Sequence, residues 1–352
     1  MKKTMIAAVS LGLLMTACKK EETTETSCEG EFCSASVAYV SNEGAWPNNG
    51  SVSRVDLSNG EVTEFLYEDG NLGVSPGAAI QSVANYSSNG YVVSTGSGGG
   101  NLHIVDLTTF KNKASLSFSY PRYIEFNSNS AYLTNGSGAG TVYKISTTSN
   151  IVSDSVSVGN GPENLLITDD EIIVANSGGW GLDSSISFIN LGNFKVDTTI
   201  NVGQKPNDLV EDKNGNIWVS CSGLSQWDAN GPTAPMLYEI NPTTKVILNS
   251  YTVGLVDQSI QRIAINKAKD VIYYYHKDGD VFAFNIDGSS LNDPAIITGS
   301  FYGLEIDPST DNILTFDAKG FTADGEMSVY SSKGSLITSY SVGIGANGAF
   351  IK

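Results

Sequence analysis

The stretch GPENLLITDDEIIVANSGGWG, residues 161 to 181, decides the fold once its cousins are found. KPNDLVEDKNGNIWVSCSG at 205 to 223 and YPRYIEFNSNSAYLTNGSG at 120 to 138 repeat its plan: a Pro with polar neighbours, an apolar strand, a tight turn, a second strand and a glycine-rich loop. A polar turn opening a new strand recurs at DLSNGEV (56), DLTTFKN (106), ISTTSNIV (145), NLGNFKV (190), NPTTKVI (241), NIDGSSL (285) and YSSKGSL (330). A second series, Gln81, Arg122, Glu163, Asn207, Gln261 and Tyr302, has separations of 41, 41, 44, 54 and 41. Periods in the forties with four short strands per unit are the mark of propeller blades. The longer units carry the insertion LSQWDANGPTAPM and a longer connection near LVDQSI.

The first unit lacks its opening strand, since SVAYVSNEG at 36 to 44 reads as a second strand. The missing strand is ANGAFIK, 346 to 352, at the other end of the chain. The fold expected over 36 to 352 is therefore all-β, a seven-bladed β-propeller closed by pairing the C-terminal strand with the N-terminal blade, so that neither edge is left open. Each innermost strand then begins at the mouth of the central channel, and the loop between second and third strands rises on the same face. That places Gln81, Arg122, Glu163, Asn164, Asn207, Asp208, Gln261, Tyr302 and Asn347 around one rim, although side chains alternate along a strand and only some of each adjacent pair are expected to converge. Trp46, Trp180, Trp227 and Phe321 lie on or near loops of that face and offer aromatic surface, whereas Trp218 inside NIWVS reads as core. His276 ends a second strand on the mouth side and His103 belongs to a third strand.

The N-terminus sets the compartment. Lys2 and Lys3, the short apolar run MIAAVSLGLLM and LMTAC form a lipoprotein signal peptide over residues 1 to 17, too short in its apolar part to span a bilayer. Cys18 is the expected lipidation site, and 18 to 35, rich in Glu, Thr and Ser, is a flexible tether. Lys20, Glu21 and Glu22 resemble the signal that carries Bacteroidota lipoproteins to the outer face of the outer membrane. The formal net charge of −17 becomes about −19 without Lys2 and Lys3, which argues against nucleic acid and leaves the lipid anchor as the sole membrane contact. Cys28 and Cys33 in CEGEFC permit a local disulfide in such a compartment, and Cys221 reads as a small core residue.

These residues resemble a family. YVVSTGSGG, the Pro-led openings and the leader look like the YVTN or YncE-type seven-bladed propeller lipoproteins of Bacteroidota. NEGAWPNNGSVSRVDLSNGEVTEF resembles the first blade of surface-exposed lipoproteins that capture corrinoids, through Asn42, Glu43, Gly44, Asn49 and Ser51. The resemblance implies a cell-surface protein that binds vitamin B12 or a relative at the rim and hands it to a TonB-dependent outer-membrane transporter. A monomer is expected, and His276 on the mouth side reads either as an imidazole ligand to a metal centre such as cobalt or as a solvated side chain.

Enzymatic signals are sparse. GIGANG at 343 to 348 has the letters of a dinucleotide fingerprint but precedes no helix. No GxSxG or HExxH motif occurs, and two histidines leave little for Ser/His/Asp catalysis. The enzymatic alternative is a metal-dependent lactonase-like hydrolase holding a divalent cation on Glu163, Asn164, Asn207, Asp208 and Asn347, whose oxygens suit a hard cation. A third reading is an interaction propeller whose rim docks a protein.

Overall fold

The structure is a computed structural model that describes residues 36–45, 50–96, 98–277, 279–288 and 294–352. Trp46, Asn49, Cys18, Cys28 and Cys33 lie outside the described residues. Seven antiparallel sheets follow one another round a ring. Their innermost strands are Ala346–Ile351 (blade 1), Ala79–Tyr86 (blade 2), Pro121–Asn127 (blade 3), Pro162–Ile167 (blade 4), Pro206–Glu211 (blade 5), Ile260–Ile265 (blade 6) and Gly303–Ile306 (blade 7). The expected closure is present: Ala346–Ile351 pairs antiparallel with Val37–Asn42, and the ladder ends in reciprocal bonds between Val37 and Lys352.

Both faces of each blade are covered by a neighbour, so second strands read as unbroken apolar runs rather than alternating ones. EIIVAN (Glu171–Asn176), IWVSC (Ile217–Cys221) and VIYYYH (Val271–His276) are buried over nearly their whole length. The core is accordingly seven wedges, one between each pair of neighbouring blades. The wedge that closes the ring sets Ala38, Val40 and Val55 of blade 1 against Leu314, Phe316 and Met327 of blade 7. Trp218 packs on Phe284 across blades 5 and 6, and its indole N–H donates to Asp212 at 2.9 Å.

The recurrent polar turns lie on the face opposite the mouth. Asp106, Asn190 and Asn241 each accept backbone N–H bonds from residues two and three further on. The chain then passes through a left-handed residue, Phe110 (φ 53°), Phe194 (φ 53°) or Lys245 (φ 60°), before the outer strand starts. Two blades depart from the plan. Blade 1 has an outer strand of two residues, Val62–Thr63, followed by a short helix, Leu66–Gly70. In blade 6 the described residues form three strands, with a single bridge from Val281 to Ile297 beside them.

Candidate functional site

The rim is built by a repeated irregularity. In blade 2 the ladder between first and second strands passes from Ile80 opposite Ser94 to Ser82 opposite Val93, and Gln81 faces no partner. The same register shift falls at Arg122–Tyr123, Glu163–Asn164, Asn207, Gln261–Arg262 and Asn347. A β-bulge puts two residues opposite one and re-aims their side chains. Ser and Thr hydroxyls on the second strand meet three of these bulges: Thr134 takes the Tyr123 N–H at 3.0 Å, Ser220 donates to Asn207 Oδ1, and Ser41 donates to Asn347 Oδ1.

At the mouth itself only one residue of each predicted pair converges, as strand alternation leads one to expect, Glu163 and Asn207 lining it and Asn164 and Asp208 not. Because of the bulge, both residues of a pair reach the channel, at two depths. Gln81, Arg122, Glu163, Asn207, Gln261, Tyr302 and Asn347 all line one axial cavity of about 260 Å³ at the mouth. Asn164 and Asp208, their strand neighbours, line a second cavity of about 250 Å³ together with Arg262 and Glu305. Beside the axial cavity a larger one of about 680 Å³ opens over blades 2 to 4, where Tyr120 and Trp180 meet edge-to-face at 6.5 Å, with Gln81, Arg122 and Tyr302 shared between the two. Trp180 is 83 % exposed. Phe321 lines a further cavity with Glu43 and Ala79 and stacks edge-on against Tyr302 at 5.2 Å.

Two predicted residues stand apart from these cavities. Trp227, 85 % exposed, sits in the blade 5 insertion, whose Gln226 N–H is held by Asp257 at 2.9 Å. His276 donates from Nε2 to the Val253 carbonyl at 2.7 Å and lies against Phe282, so its ring is packed between blades 5 and 6. Trp46 falls outside the described residues.

Hydrogen bonds run round the rim from blade to blade. Arg122 donates from Nε (3.0 Å) and Nη2 (2.8 Å) to one oxygen of Glu163. Asn207 bridges to the Ile260 carbonyl at 2.7 Å, and Asn347 to the Ile80 carbonyl at 2.9 Å. Glu43 accepts from Tyr302 at 3.1 Å and from Asn347 at 3.0 Å. Burial raises the Glu43 carboxyl above the usual range despite those bonds and the field of Arg122. Gln81 and Gln261 make no side-chain hydrogen bond among the described residues.

Deeper in the channel, two carboxylates, Asp208 and Glu305, lie in the field of one guanidinium. Arg262 bonds Glu305 at 2.5 Å and the Tyr123 hydroxyl at 3.2 Å, stacking over the Tyr123 ring at 5.4 Å. Asp208 accepts the Ile263 N–H at 3.0 Å and the Asn164 amide at 2.6 Å. Burial pushes Asp208 up to about 6 and Glu305 up to about 7, outweighing Arg262 in each case. Glu125 is raised too, by its enclosed surroundings first and then by Glu305 and Asp208, although the residue is exposed. Among the described residues no group of three or more His, Cys, Asp or Glu is arranged to hold a metal ion.

Reading the sequence for the start of each inner strand missed Tyr123, Arg262 and Tyr275, which also line the axial cavity, and left Glu43 and Lys205 off the rim. The signal for Tyr123 was Thr134 in YLT, whose hydroxyl takes the Tyr123 N–H and marks the bulge. The second strand of blade 6, VIYYYH, has Tyr275 at that place, so nothing in the sequence marked Arg262 in this way.

Comparisons with known proteins give a family model and a fold. A model described as a domain of unknown function, DUF5074, matches residues 37–345. None of the curated protein sequences matches the chain. Among solved structures it is similar to a quinonprotein alcohol dehydrogenase-like protein from Bacteroides thetaiotaomicron, at TM-score 0.68 and 14 % identity, over 91 % of this chain and 78 % of that one. It is also similar to a conjectural 6-phosphogluconolactonase from Bacteroides fragilis, at TM-score 0.66 and 13 % identity over 92 % and 99 %. A third is hydrazine synthase from Kuenenia stuttgartiensis, at TM-score 0.61 and 14 % identity over 80 % and 89 %. At such identities the likeness speaks for the propeller alone.

Proposed function

The chain belongs to the DUF5074 family, a domain of unknown function, and from that premise we propose that its propeller captures a large small-molecule ligand at the mouth, most specifically a corrinoid. One observation carries the reading: the aromatic-walled cavity of about 680 Å³ and the amide-bearing axial cavity share Gln81, Arg122 and Tyr302 and so form one continuous surface. Binding sites pair apolar and aromatic walls with a few convergent polar groups. A flat, conjugated macrocycle edged with carboxamides suits that combination, with Trp180 and Tyr120 against its face and the unengaged amides of Gln81 and Gln261 against its edge.

Binding rather than turnover fits how the rim groups are used. Asn207, Glu163 and Asn347 are held by their neighbours in blade-to-blade bonds. They shape the floor rather than stand ready to move a proton. The reading places the protein at the cell surface, lipid-anchored at Cys18, handing its ligand to a TonB-dependent outer-membrane transporter.

Titration of the protein with cyanocobalamin and with cobinamide, followed by corrin absorbance and heat, tests the reading. Dissociation constants in the nanomolar range are expected. Trp180→Ala should weaken binding about tenfold, which corresponds to about 1.4 kcal/mol of lost stacking. No binding of either corrinoid at micromolar protein would sink the assignment. Cys18→Ala should abolish lipid labelling and release the protein from membranes; retention of label would overturn the anchor.

A further inference from the structure

Lys205 stands where the neighbouring blade uses glycine. Gly161 and Lys205 each precede the proline that opens an inner strand. Each sends its N–H to the preceding blade's loop, Gly161 to Gly138 at 2.7 Å and Lys205 to Asp183 at 3.0 Å. Each accepts the N–H of the residue after its own second strand, Ser177 or Ser222. Both are left-handed, with φ of 51° at Gly161 and 55° at Lys205. Glycine adopts that backbone without strain, and a side chain with a Cβ does not. At Gly161 a Cβ would come within 2.0 Å of the Gly179 N, so glycine is required there; Lys205 keeps its side chain in spite of the strain. Left-handed non-glycine residues also close the polar turns, at Phe110, Phe194 and Lys245, so what sets Lys205 apart is that its place is on a cavity wall.

Lys205 lines the axial cavity and makes no salt bridge within 4.0 Å among the described residues, although its charge helps lower the carboxyl of the exposed Asp228 in the blade 5 insertion. Asp183, whose carbonyl holds the Lys205 N–H, has its carboxylate engaged by Asn160, Ser184 and Ser185. The other two cations of the cavity are paired, Arg122 with Glu163 and Arg262 with Glu305. Arg122 commits Nε and Nη2 to Glu163, and its Nη1 makes no hydrogen bond among the described residues. Gln81 and Gln261 add amide donors to the same cavity.

We propose that Lys205, with Arg122 Nη1 and the Gln81 and Gln261 amides, forms an oxyanion subsite in the mouth that takes a phosphate or carboxylate group of the captured molecule. The inference rests on the mouth being the capture site and adds the charge of what is captured. On a chain of net charge −17, whose general field repels anions, an ammonium held in no close salt bridge at the mouth selects for an anionic group placed there.

Thermal unfolding of the intact protein in inorganic phosphate and in acetate, each against chloride at matched ionic strength, tests the subsite. The salting-out effect of an anion is common to all variants, so the subsite is read as the difference between them. Wild type and Lys205→Arg should gain Tm beyond Lys205→Met and Lys205→Gly in at least one of the two anions, and the anion that does so identifies the group. In chloride, Lys205→Gly should unfold at or above the wild-type Tm, because glycine relieves the left-handed backbone. A Lys205 that served only the fold would give the opposite, a lower Tm with an unchanged response to anions. Equal responses of wild type and Lys205→Met to both anions overturn the proposal. If cyanocobalamin still binds wild type in that case, the mouth remains a capture site without an anion subsite. If the anion effect depends on Lys205 while neither corrinoid binds, the subsite stands and the corrinoid reading falls.

Discussion

At the scale of single residues, the rim divides into side chains that hold the ring together and side chains turned to the cavity. Asn207 belongs to the first kind: its amide bonds Ser222 at 2.7 Å and the Ile260 carbonyl at 2.7 Å while its oxygen accepts from Ser220. Asn207→Ala strands these partners and should cost about 1–3 kcal/mol in chemical denaturation, a loss seen without any ligand present. Trp180, exposed and packed only edge-on against Tyr120, should leave stability unchanged when truncated, so the pair separates folding from binding. The channel acids give a pH signature. Asp208 and Glu305 are raised to about 6 and about 7, so the folded chain holds protons that the unfolded chain releases at lower pH. Their contribution is therefore fully present below the ordinary carboxylate pKa near 4 and is lost as pH rises through about 6 to 7. Tm scans from pH 5 to 8 should show that decline, and Glu305→Gln should flatten it; an unaltered slope in the variant would show that Glu305 does not take up the proton. Because Asp208 and Glu305 both feel Arg262 and act on each other, the titration belongs to the cluster and not to one acid.

At the scale of elements, what the sequence made legible was whatever repeats. The turns beginning at Asp106, Asn190 and Asn241 fall where the spacing put them, because an Asp or Asn capping its own turn is a local device that needs no tertiary partner. Asn241→Ala removes the acceptor for Thr243 and Thr244 and should cost about 1 kcal/mol, measurable as a shift in denaturation midpoint. The start of each inner strand was legible as a polar pair, and the seven leading residues of that series do meet in one cavity. Illegible was the bulge. A period-two reading sends alternate side chains to opposite faces, and only the register against the second strand shows that Arg122 and Tyr123, or Gln261 and Arg262, both face the channel. His276 shows the converse limit: its place at a strand end on the mouth side was correct, but the Val253 carbonyl that turns its ring away comes from another blade.

At the scale of the whole molecule, stability is distributed among seven inter-blade wedges, and the wedge between blades 7 and 1 forms only when the ring closes. Removing residues 346–352 deletes the innermost strand of blade 1, uncovers the edge of Val37–Asn42 and opens the wedge against blade 7. The truncated chain should lose its cooperative unfolding transition and aggregate, which circular dichroism and size-exclusion chromatography would report; a sharp wild-type transition would mean that the ring is stable without its clasp. The seven-blade count and the closure were visible in sequence because both follow from repeat arithmetic. The departures in blades 1 and 6 were not, since a short helix in place of a strand leaves the period intact.

The closing strand has a mechanical consequence. Val37–Asn42 starts at the base, where Ser36 sits beside Ser309, and runs up to the mouth between two antiparallel partners, Ala346–Ile351 and Ser51–Asp56. A chain held upstream of Ser36 is thus gripped by its underside, with the cavity facing away from the point of attachment. Tension applied there pulls along the strand axis, so the hydrogen bonds of both ladders resist in shear together instead of opening one after another.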